Sequence, residues 1–554
     1  MNMRSFWWLA LAFTLLWIWL QWTQFQHKQT QQQAPAIEQQ SDNGVPVANP
    51  VTSPNDQAPK VNAKGSDVPS TKANLISGQR VQVKTDVFHI TLDTEGGDIR
   101  DVELLKYAAQ HDHSKPFKLM SDKGQLFYIA QNGIAVQPNA KLPAPTHKSL
   151  YQTAQSQYVM TDKTLTVPMV WQKDGIKVIK TYTFTKGSYL IKISYKVENQ
   201  SGQEWSGSLY SQIKRSSNDP YHNRMMYTYT GPVLYDGNAE NKYNKHSFED
   251  LEKHPVIGQT ATGGWGAMIQ HYFMSAVIPN QKAQNSFYAK ALGHNDYSVG
   301  VVEPMVKVAP GHTGELTSEL YVGPIIQDKL DAIAPGLALT VDYGILTIIA
   351  KPIFWVLEKI HAVVGNWGWS IIFLTILIKA LFFKLSETSY RSMARLKKFQ
   401  PKLKQLKENY GDDKALFQQK MMALYKEEKI NPLGGCLPIL VQMPVFIALY
   451  WVLLYSAEMR QAPWMLWIQD LSAKDPYYIL PVLMGISMWV QQKLNPSAMM
   501  DEMQQKVMKL LPFIFTVFFM FFPAGLVLYW VVNNILSVTQ QWYITKKIEA
   551  GEEK

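Results

Sequence analysis

The spacing of hydrophobic positions divides this chain of 554 residues into four parts. Residues 6–22 form an unbroken apolar run, FWWLALAFTLLWIWLQW, and residues 24–79 contain hardly any large apolar side chain. Residues 80–335 alternate between apolar and polar positions, whereas the remainder is dominated by long apolar blocks. The pattern therefore predicts a membrane anchor, a tether, a β domain and a helical membrane part, in that order.

The N-terminal run is open to two interpretations, a cleaved signal peptide or a permanent anchor. A cleavage site of small residues should follow a signal peptide directly, but residues 24–33 are almost all polar and bulky, and the alanines beside Pro35 lie too far downstream. We favour an uncleaved anchor at residues 1–23, with Arg4 keeping its N-terminus in the cytoplasm. The Gln-, Pro- and Ser-rich segment 24–79 is predicted to be a flexible extracytoplasmic linker.

Period-two alternation is clearest in residues 87–97, 178–200 and 271–279. Such runs, separated by Gly- and Asn-containing turns, predict a large antiparallel β-sandwich over 80–335. His89 and His271 lie on predicted strands, but no spacing around them identifies a catalytic site. Phosphate-loop, zinc-protease and nucleophile-elbow motifs are missing from the sequence, and the single cysteine, Cys436, excludes an internal disulfide. We therefore predict no enzymatic activity, cofactor or metal.

Residues 340–364 are long enough to span a membrane, yet charged residues interrupt them. At helical spacing, Thr347, Lys351 and Glu358 share one face, opposite Phe354 and Leu357. This arrangement is typical of a helix that lies in the membrane interface.

Five further apolar blocks follow, and with the N-terminal anchor they predict about six membrane crossings with both termini in the cytoplasm. The blocks comprise residues 367–385, 437–455, 477–490, 510–522 and 525–543. Two of them are short, so they either recruit flanking residues such as Gln491 and Lys509 or cross a thinned bilayer. We assign residues 365–545 to this five-span core and residues 546–554 to a cytoplasmic tail.

The net charge of +10 raises the question of nucleic-acid binding. The basic residues concentrate in residues 386–431, between two apolar blocks, as expected of a cytoplasmic loop, so we predict no nucleic-acid specificity. The break at residues 411–413 and the seam formed by Phe399 and Leu403 predict a two-helix hairpin there.

Lys379 is a charged residue inside the block 367–385. A buried charge costs about 2.5–3.5 kcal/mol on insertion scales, so it requires compensation. Either its long stem reaches the cytoplasmic interface, or its ammonium faces a water-filled groove, with Thr375 one turn earlier on the same face. Other spans carry polar residues that are candidate lining of such a groove: Gln442, Gln491, Gln492, Trp530, Asn533 and Asn534.

Adaptable apolar side chains are also abundant in the spans. They suit contact with varied apolar partners, although ordinary packing is the alternative role of each one. Those singled out as a candidate contact slide are Met443, Pro444, Phe446, Phe515, Phe518 and Phe519.

Long stretches of the second half resemble the YidC/oxidase-assembly family of membrane protein insertases. They include VGNWGWSIIFLTILIK, NPLGGCLPILVQMPVFIALYWVL and FFPAGLVLYWVVNN, and the likeness is continuous over about 340–545. It extends more weakly through GGWGAMIQHYF and ELYVGP in the β part, as in Gram-negative members.

This resemblance implies that residues 24–340 lie in the periplasm, as a flexible linker and a β-supersandwich like that of sugar mutarotases but without their activity. It also implies five C-terminal spans in the inner membrane around a groove that opens to cytoplasm and lipid. The substrates would be nascent membrane proteins. The partners would be the Sec translocon, the ribosome, signal recognition particle components through the hairpin and tail, and membrane lipids.

The family pattern of substrate contact carries over to Thr375, Gln442, Met443, Pro444, Phe446 and Trp530. Lys379 stands where the family usually has arginine, which keeps the charge but loses the planar fork for bidentate carboxylate binding. Lys384 stands where relatives often have proline.

Two other classes of function remain open from the residues alone. A transporter or channel with a periplasmic sensing domain would conduct a solute through the bundle. A structural assembly factor would act through its β domain only.

Overall fold

The computed structural model describes residues 78–109, 112, 114–124, 127–218, 228–237, 244–341, 343, 346–410, 413–427, 437–494 and 502–549. The predicted anchor 1–23 and nearly all of the predicted linker 24–79 lie outside these residues. The described chain forms two compact units, a β unit that ends at Val341 and a helical unit that follows it.

The β unit consists of nineteen described strands and two short helices. The strands are β1 (Arg80–Lys84), β2 (Phe88–Asp93), β3 (Ile99–Ala108), β4 (Pro116–Met120), β5 (Tyr128–Ala135), β6 (Gln157–Val159), β7 (Thr164–Lys173), β8 (Ile176–Thr185), β9 (Leu190–Asn199), β10 (Trp205–Ser216), β11 (Thr230–Tyr235), β12 (Asn244–Lys245), β13 (Val256–Thr262), β14 (Trp265–Gln270), β15 (Phe273–Ile278), β16 (Gln284–Gly293), β17 (Asp296–Val302), β18 (Val306–Val308) and β19 (Thr313–Pro324). The helices are α1 (Phe248–Lys253) and α2 (Gln327–Leu330), and a 3-10 turn covers Leu337–Thr340.

These strands form an eleven-stranded and an eight-stranded sheet that pack face to face. The central path of the first runs β13-β16-β17-β10-β5-β3-β2-β1-β6, with β18 beside β10 and β4 beside β3. The second runs β12-β11-β14-β15-β19-β9-β8-β7. Neighbouring described strands pair antiparallel except β1 with β6, so the predicted antiparallel sandwich is confirmed.

Strand β8 illustrates why alternation identified the sandwich, and where alternation misleads. Its inward positions are buried, but one of them is Lys180 rather than an apolar residue. The Lys180 ammonium donates to the carbonyls of Gly96 and Gly97 at 3.0 and 2.9 Å, and the Tyr182 ring centroid lies 5.2 Å from it. Burial lowers the pKa of Lys180 to about 7. Both glycines have positive φ, so this turn exposes two carbonyls to a buried cation.

His147 gives the β unit a predicted pH dependence. It is buried, and Nδ1 lies 2.7 Å from the Tyr210 hydroxyl, which also accepts from the His147 amide; a neutral ring can accept the hydroxyl proton at Nδ1. Desolvation lowers the His147 pKa to about 3. Because unfolding then takes up a proton below the ordinary pKa near 6.5, stability should fall by about 1.4 kcal/mol per pH unit as pH drops from 6.5 towards 3.

Hydrogen exchange of β5 and β10 amides in the solubilised chain at pH 7 and pH 5 measures this loss, after correction for intrinsic rates. In His147→Asn the amide oxygen still accepts from Tyr210 but does not titrate, so we expect its protection to fall less between the two pH values. Equal losses in both proteins would contradict the role of His147.

The helical unit has nine described helices: α3 (Thr347–Val364), α4 (Trp367–Leu381), α5 (Phe383–Lys398), α6 (Gln400–Tyr410), α7 (Lys414–Glu427), α8 (Leu437–Tyr455), α9 (Ile479–Leu494), α10 (Glu502–Phe519) and α11 (Ala524–Glu549). The two short apolar blocks correspond to α9 and α10, which include Gln491 and Lys509. At about 1.5 Å per residue, 16- and 18-residue helices measure about 24 and 27 Å.

One predicted span differs in shape from the expectation. The apolar block 367–385 predicts one continuous span, but α4 ends at Leu381 and the chain bends by 64° into α5. There is no proline or glycine at this bend. Packing of α5 against α11 instead accompanies it, with the Gln540 amide donating to the Phe383 carbonyl at 3.3 Å.

By length and composition, this bent pair is the part of the described chain that fits a membrane crossing. No single described helix is both long and apolar enough on its own.

Two further helical predictions fall on described residues. Helix α3 buries Ala350, Phe354 and Leu357 while Ile348 and Trp355 are exposed, at 86% and 59%. Helices α6 and α7 pack as a pair around buried Leu403 and Tyr425, and Phe399 of the predicted seam contacts this cluster.

Candidate functional site

Lys379 lies in the last turn of α4 and is 8% exposed. Its Nζ donates to Ser537 Oγ of α11 at 2.8 Å, and Ser537 in turn donates to the Asn533 carbonyl at 2.7 Å. Lys379 has no ion pair with any residue that the structure describes. The ammonium is therefore directed towards α11, with one hydroxyl acceptor and no neutralising carboxylate among those residues.

Helix α11 carries further polar side chains at three-to-four spacing, which is why they share one side of it. Asn534 is buried and donates to Ser487 Oγ of α9 at 3.0 Å. Two turns later, Gln541 donates to the Leu494 carbonyl at 3.4 Å. Ser537, Asn534 and Gln541 are hydrogen-bonded to residues of α4 and α9. We call these three residues the polar centre of α11.

The other predicted groove residues have no hydrogen bond to Lys379 in the described part of the chain. Thr375 is buried one turn before Lys379, and its hydroxyl donates to the Ile371 carbonyl at 2.6 Å. Gln442 of α8 and Gln491 of α9 are half-buried, and neither bonds to Lys379 among the described residues. The structure therefore brings Lys379 and Thr375 together on one helix and Asn534 onto the partner helix.

Aromatic side chains from two helices, α8 and α10, converge on Trp530 of α11. The ring centroid of Phe446 of α8 lies 4.9 Å from Trp530, and that of Phe519 of α10 lies 5.7 Å away. Trp530 Nε1 is buried and finds no acceptor within the described part of the chain. Phe515 and Phe518 extend this cluster along α10, at 6.1 and 5.7 Å from Phe519. We call these five residues the aromatic cluster.

The predicted slide residues differ in accessibility. Met443 and Phe518 are exposed, at 39% and 48%, whereas Phe519 is only 4% exposed and serves as packing for the cluster. Pro444, Phe446 and Phe515 are half-buried. An apolar partner would therefore meet Met443 and Phe518 first.

The end of the helical unit opposite the hairpin is closed by residues 456–478, which join α8 to α9. Asn366 caps α4 by accepting from the Trp369 amide, and its own amide group donates to the carbonyls of Pro463 and Trp464. Asp475 is buried and accepts from Trp467 Nε1 and from the amides of Tyr477 and Leu480.

Backbone bonds complete this closure. The amides of Ala524 and Gly525 donate to the carbonyls of Ala473 and Leu471 at 2.7 and 2.9 Å. Helix α11 thus starts on the ordered connection 456–478, and its polar centre lies further along, towards the hairpin end.

Sequence reasoning missed Ser487 and Ser537. Ser537 lies three residues after Asn534 in an apolar block, and this spacing was the available indication. Ser487 lies four residues before Gln491 on α9, but serine is common enough in spans to carry little information by itself.

The two isolated histidines have local structural contacts. His89 Nδ1 lies 3.1 Å from Glu103 on the neighbouring strand, and His271 stacks on Tyr272 in a turn. Within the described ranges, no group of three or more His, Cys, Asp or Glu residues is placed to hold a metal ion.

The described chain combines an antiparallel β-sandwich with a unit of apolar helices that contains the buried Lys379. Two family models divide the chain between them: the YidC periplasmic domain matches residues 80–356, and the 60Kd inner membrane protein matches residues 359–552. The chain belongs to the YidC family.

Relatives named membrane protein insertase YidC align along almost the whole chain. The protein of Thioalkalivibrio sulfidiphilus (strain HL-EbGR7) is 47% identical, with 100% of both chains aligned. That of Pseudomonas fluorescens (strain SBW25) is 48% identical over 96% of this chain and 93% of the relative.

Two solved structures are more distant. An active YidC insertase crystal structure has 16% identity and a TM-score of 0.38, over 85% of this chain and 93% of that one. A galactose mutarotase-like protein from Lactobacillus casei ATCC 334 has 10% identity and a TM-score of 0.30, over 44% of this chain and 99% of that one. Both superpositions are loose, and family membership rests on the sequence matches.

Proposed function

We propose that this chain inserts nascent proteins into the bacterial inner membrane, using Lys379 of α4 and the aromatic cluster, both of which contact α11. Its relatives are membrane protein insertases, and the family is not one of enzymes. The observation that carries the proposal is the buried Lys379 ammonium without an ion-pair partner among described residues. It lies on the same unit as an apolar surface, so charged and apolar parts of one substrate have separate contacts.

Insertion by this route needs no nucleotide hydrolysis. Transfer of an apolar substrate helix from water to lipid releases about 25 cal/mol per Å² of apolar surface, which drives the net reaction. The barrier is the polar flank that must cross, and Lys379 lowers it by attracting acidic residues of that flank. The membrane potential adds about 2.3 kcal/mol per charge per 100 mV for acidic flanks moving outward.

The proposed topology has six crossings, with both termini in the cytoplasm. The anchor 1–23 and helices α4, α8, α9, α10 and α11 are the crossings, and the β unit is periplasmic. Helix α3 lies in the interface, which its exposed Ile348 and Trp355 support. The ordered connection 456–478 closes the periplasmic end of the groove, so substrate enters from the cytoplasm or from lipid.

The basic pair α6–α7 is the proposed contact for the ribosome and signal recognition particle components, together with the C-terminal tail. The apolar seam between the two helices is buried around Leu403 and Tyr425. The lysine-rich outer faces are therefore the part that a charged partner would contact. Cooperation with the Sec translocon belongs to the same proposal.

Reconstitution tests this function. The purified chain in vesicles should protect a newly synthesised single-span protein from external protease, whereas empty vesicles should not. The same vesicles should not release small solutes without a nascent chain. Solute release without insertion would favour a channel or transporter. Loss of all insertion on removal of residues 80–320 would favour an assembly factor that acts through its β unit.

A further inference from the structure

Ser537 is the partner of Lys379, and its hydrogen bonds have a defined direction. Its hydroxyl proton is engaged by the Asn533 carbonyl at 2.7 Å, one turn earlier on α11. The oxygen lone pairs are therefore free to accept, and one of them accepts from the Lys379 ammonium at 2.8 Å. A hydroxyl held in this way presents an acceptor in a fixed direction, which a freely rotating hydroxyl does not.

The ammonium has three N–H donors, and this hydroxyl accounts for one of them. Asn534, one turn before Ser537 on this side of α11, donates to Ser487, whose own hydroxyl donates to the Met484 carbonyl. Neither of these bonds involves Lys379. Among the residues that the structure describes, nothing else accepts from the ammonium, so its remaining N–H donors can meet an incoming acceptor.

The hydrogen bond between Lys379 and Ser537 also argues against the alternative in which the Lys379 stem reaches the cytoplasmic interface. Lys384 lies five residues nearer the hairpin and is exposed, as expected of a lysine at the cytoplasmic interface. Lys379 instead is buried and attached to the middle of α11. A lone lysine stem in an apolar surrounding would extend towards water, so a specific acceptor is required to retain it.

We propose that Ser537 is a positioning residue that holds the Lys379 ammonium inside the groove and thereby sets the preference for substrates with an acidic translocated flank. This inference rests on the proposed insertase function. Ser537 accepts one N–H donor, and a single carboxylate of the substrate takes the others. Because lysine lacks the rigid fork of arginine, its direction must come from a neighbouring residue, and Ser537 supplies it.

Two nearly isosteric substitutions separate the hydroxyl from the volume of the side chain. Ser537→Thr retains an acceptor and Ser537→Val does not. Thr539 on the same helix provides a matched control, since its exposed hydroxyl donates to the Ile535 carbonyl four residues earlier and has no contact with Lys379. The substrates are two versions of one single-span protein, with Asp or with Asn in the translocated flank.

In vesicles containing the full chain, Ser537→Val should insert the Asp version about tenfold more slowly, the value for loss of a hydrogen bond of about 1.4 kcal/mol to a charged group. Insertion of the Asn version should change less than about twofold, because no charge is attracted. Ser537→Thr and Thr539→Val should behave like the parent chain. In a Lys379→Gln background, Ser537→Val should have no further effect.

Equal slowing of both substrates would overturn the proposal, because it would mean that Ser537 serves packing alone. The proposal is also overturned if Ser537→Val leaves the preference for Asp unchanged or if Ser537→Thr behaves like Ser537→Val. Failure of the parent chain to insert either substrate would instead overturn the proposed function, so the two failures are distinguishable.

Discussion

Replacement of Lys379 by Glu should slow insertion of a substrate with an acidic flank by at least about 100-fold. At about 4 Å and an effective dielectric constant near 20, a pair of unit charges interacts by about 4 kcal/mol, so changing attraction into repulsion has a large effect even after screening. The introduced carboxylate could also accept from Ser537 only if that hydroxyl left the Asn533 carbonyl. Protease protection of the substrate in reconstituted vesicles measures the rate.

Two control variants and one control substrate show whether the effect comes from the charge at position 379. Lys379→Arg should retain most activity because the charge is preserved, and Lys384→Glu, at an exposed position, should have a small effect. A substrate whose acidic residues are replaced by lysine should be inserted no more slowly by Lys379→Glu than by the parent chain. Unchanged insertion of the acidic substrate by Lys379→Glu would remove Lys379 from the mechanism.

Replacement of Asp475 by Ala should destabilise the helical unit by about 3 kcal/mol. Its carboxylate accepts from Trp467 Nε1 and from two backbone amides, and it is 1% exposed. Each buried donor left unpaired costs about 1–3 kcal/mol, partly recovered where water enters. The connection 456–478 is held together by these bonds, so its unfolding should be the first consequence.

Thermal unfolding of the detergent-solubilised chain measures this loss, and hydrogen exchange locates it. Lys474→Ala is the matched control, since its side chain is exposed and adjacent in sequence. We expect faster exchange across 456–478 in Asp475→Ala and no change in the β unit. An Asp475→Ala protein as stable as Lys474→Ala would contradict the role of the carboxylate.

Much of the β unit could be predicted from the sequence because its information is local. Alternation with period two marks strands, and glycines such as Gly96 and Gly97 mark turns, whichever strands later pair. Lys180 could not be predicted to lie in the core. Its stabilising partners, the carbonyls of Gly96 and Gly97, are more than eighty residues away, and such pairings exist only once both sheets have formed.

In the candidate site, too, features that depend on local sequence could be predicted, and features that depend on packing between distant segments could not. Lys379 and Thr375 were found because a polar residue in an apolar block is anomalous by itself, and the family resemblance supported them. Ser537 and the bend after Leu381 were missed because both depend on how α11 packs against α4 and α5. Asp475 was missed for a similar reason, since an Asp-Pro pair in a loop gives no indication that three donors converge on it.

Site-specific crosslinking to a stalled nascent chain tests the central claim most directly. A photoreactive residue at Gln442, Met443 or Phe518 of the full chain, in vesicles with a ribosome-bound single-span substrate, should crosslink to the apolar segment of that substrate. The same residue at Ile535, which is 52% exposed on α11, serves as the comparison. The proposed route predicts strong crosslinks from the first three positions and weak ones from Ile535. Equal crosslinking from all four, or none from the three, would contradict it.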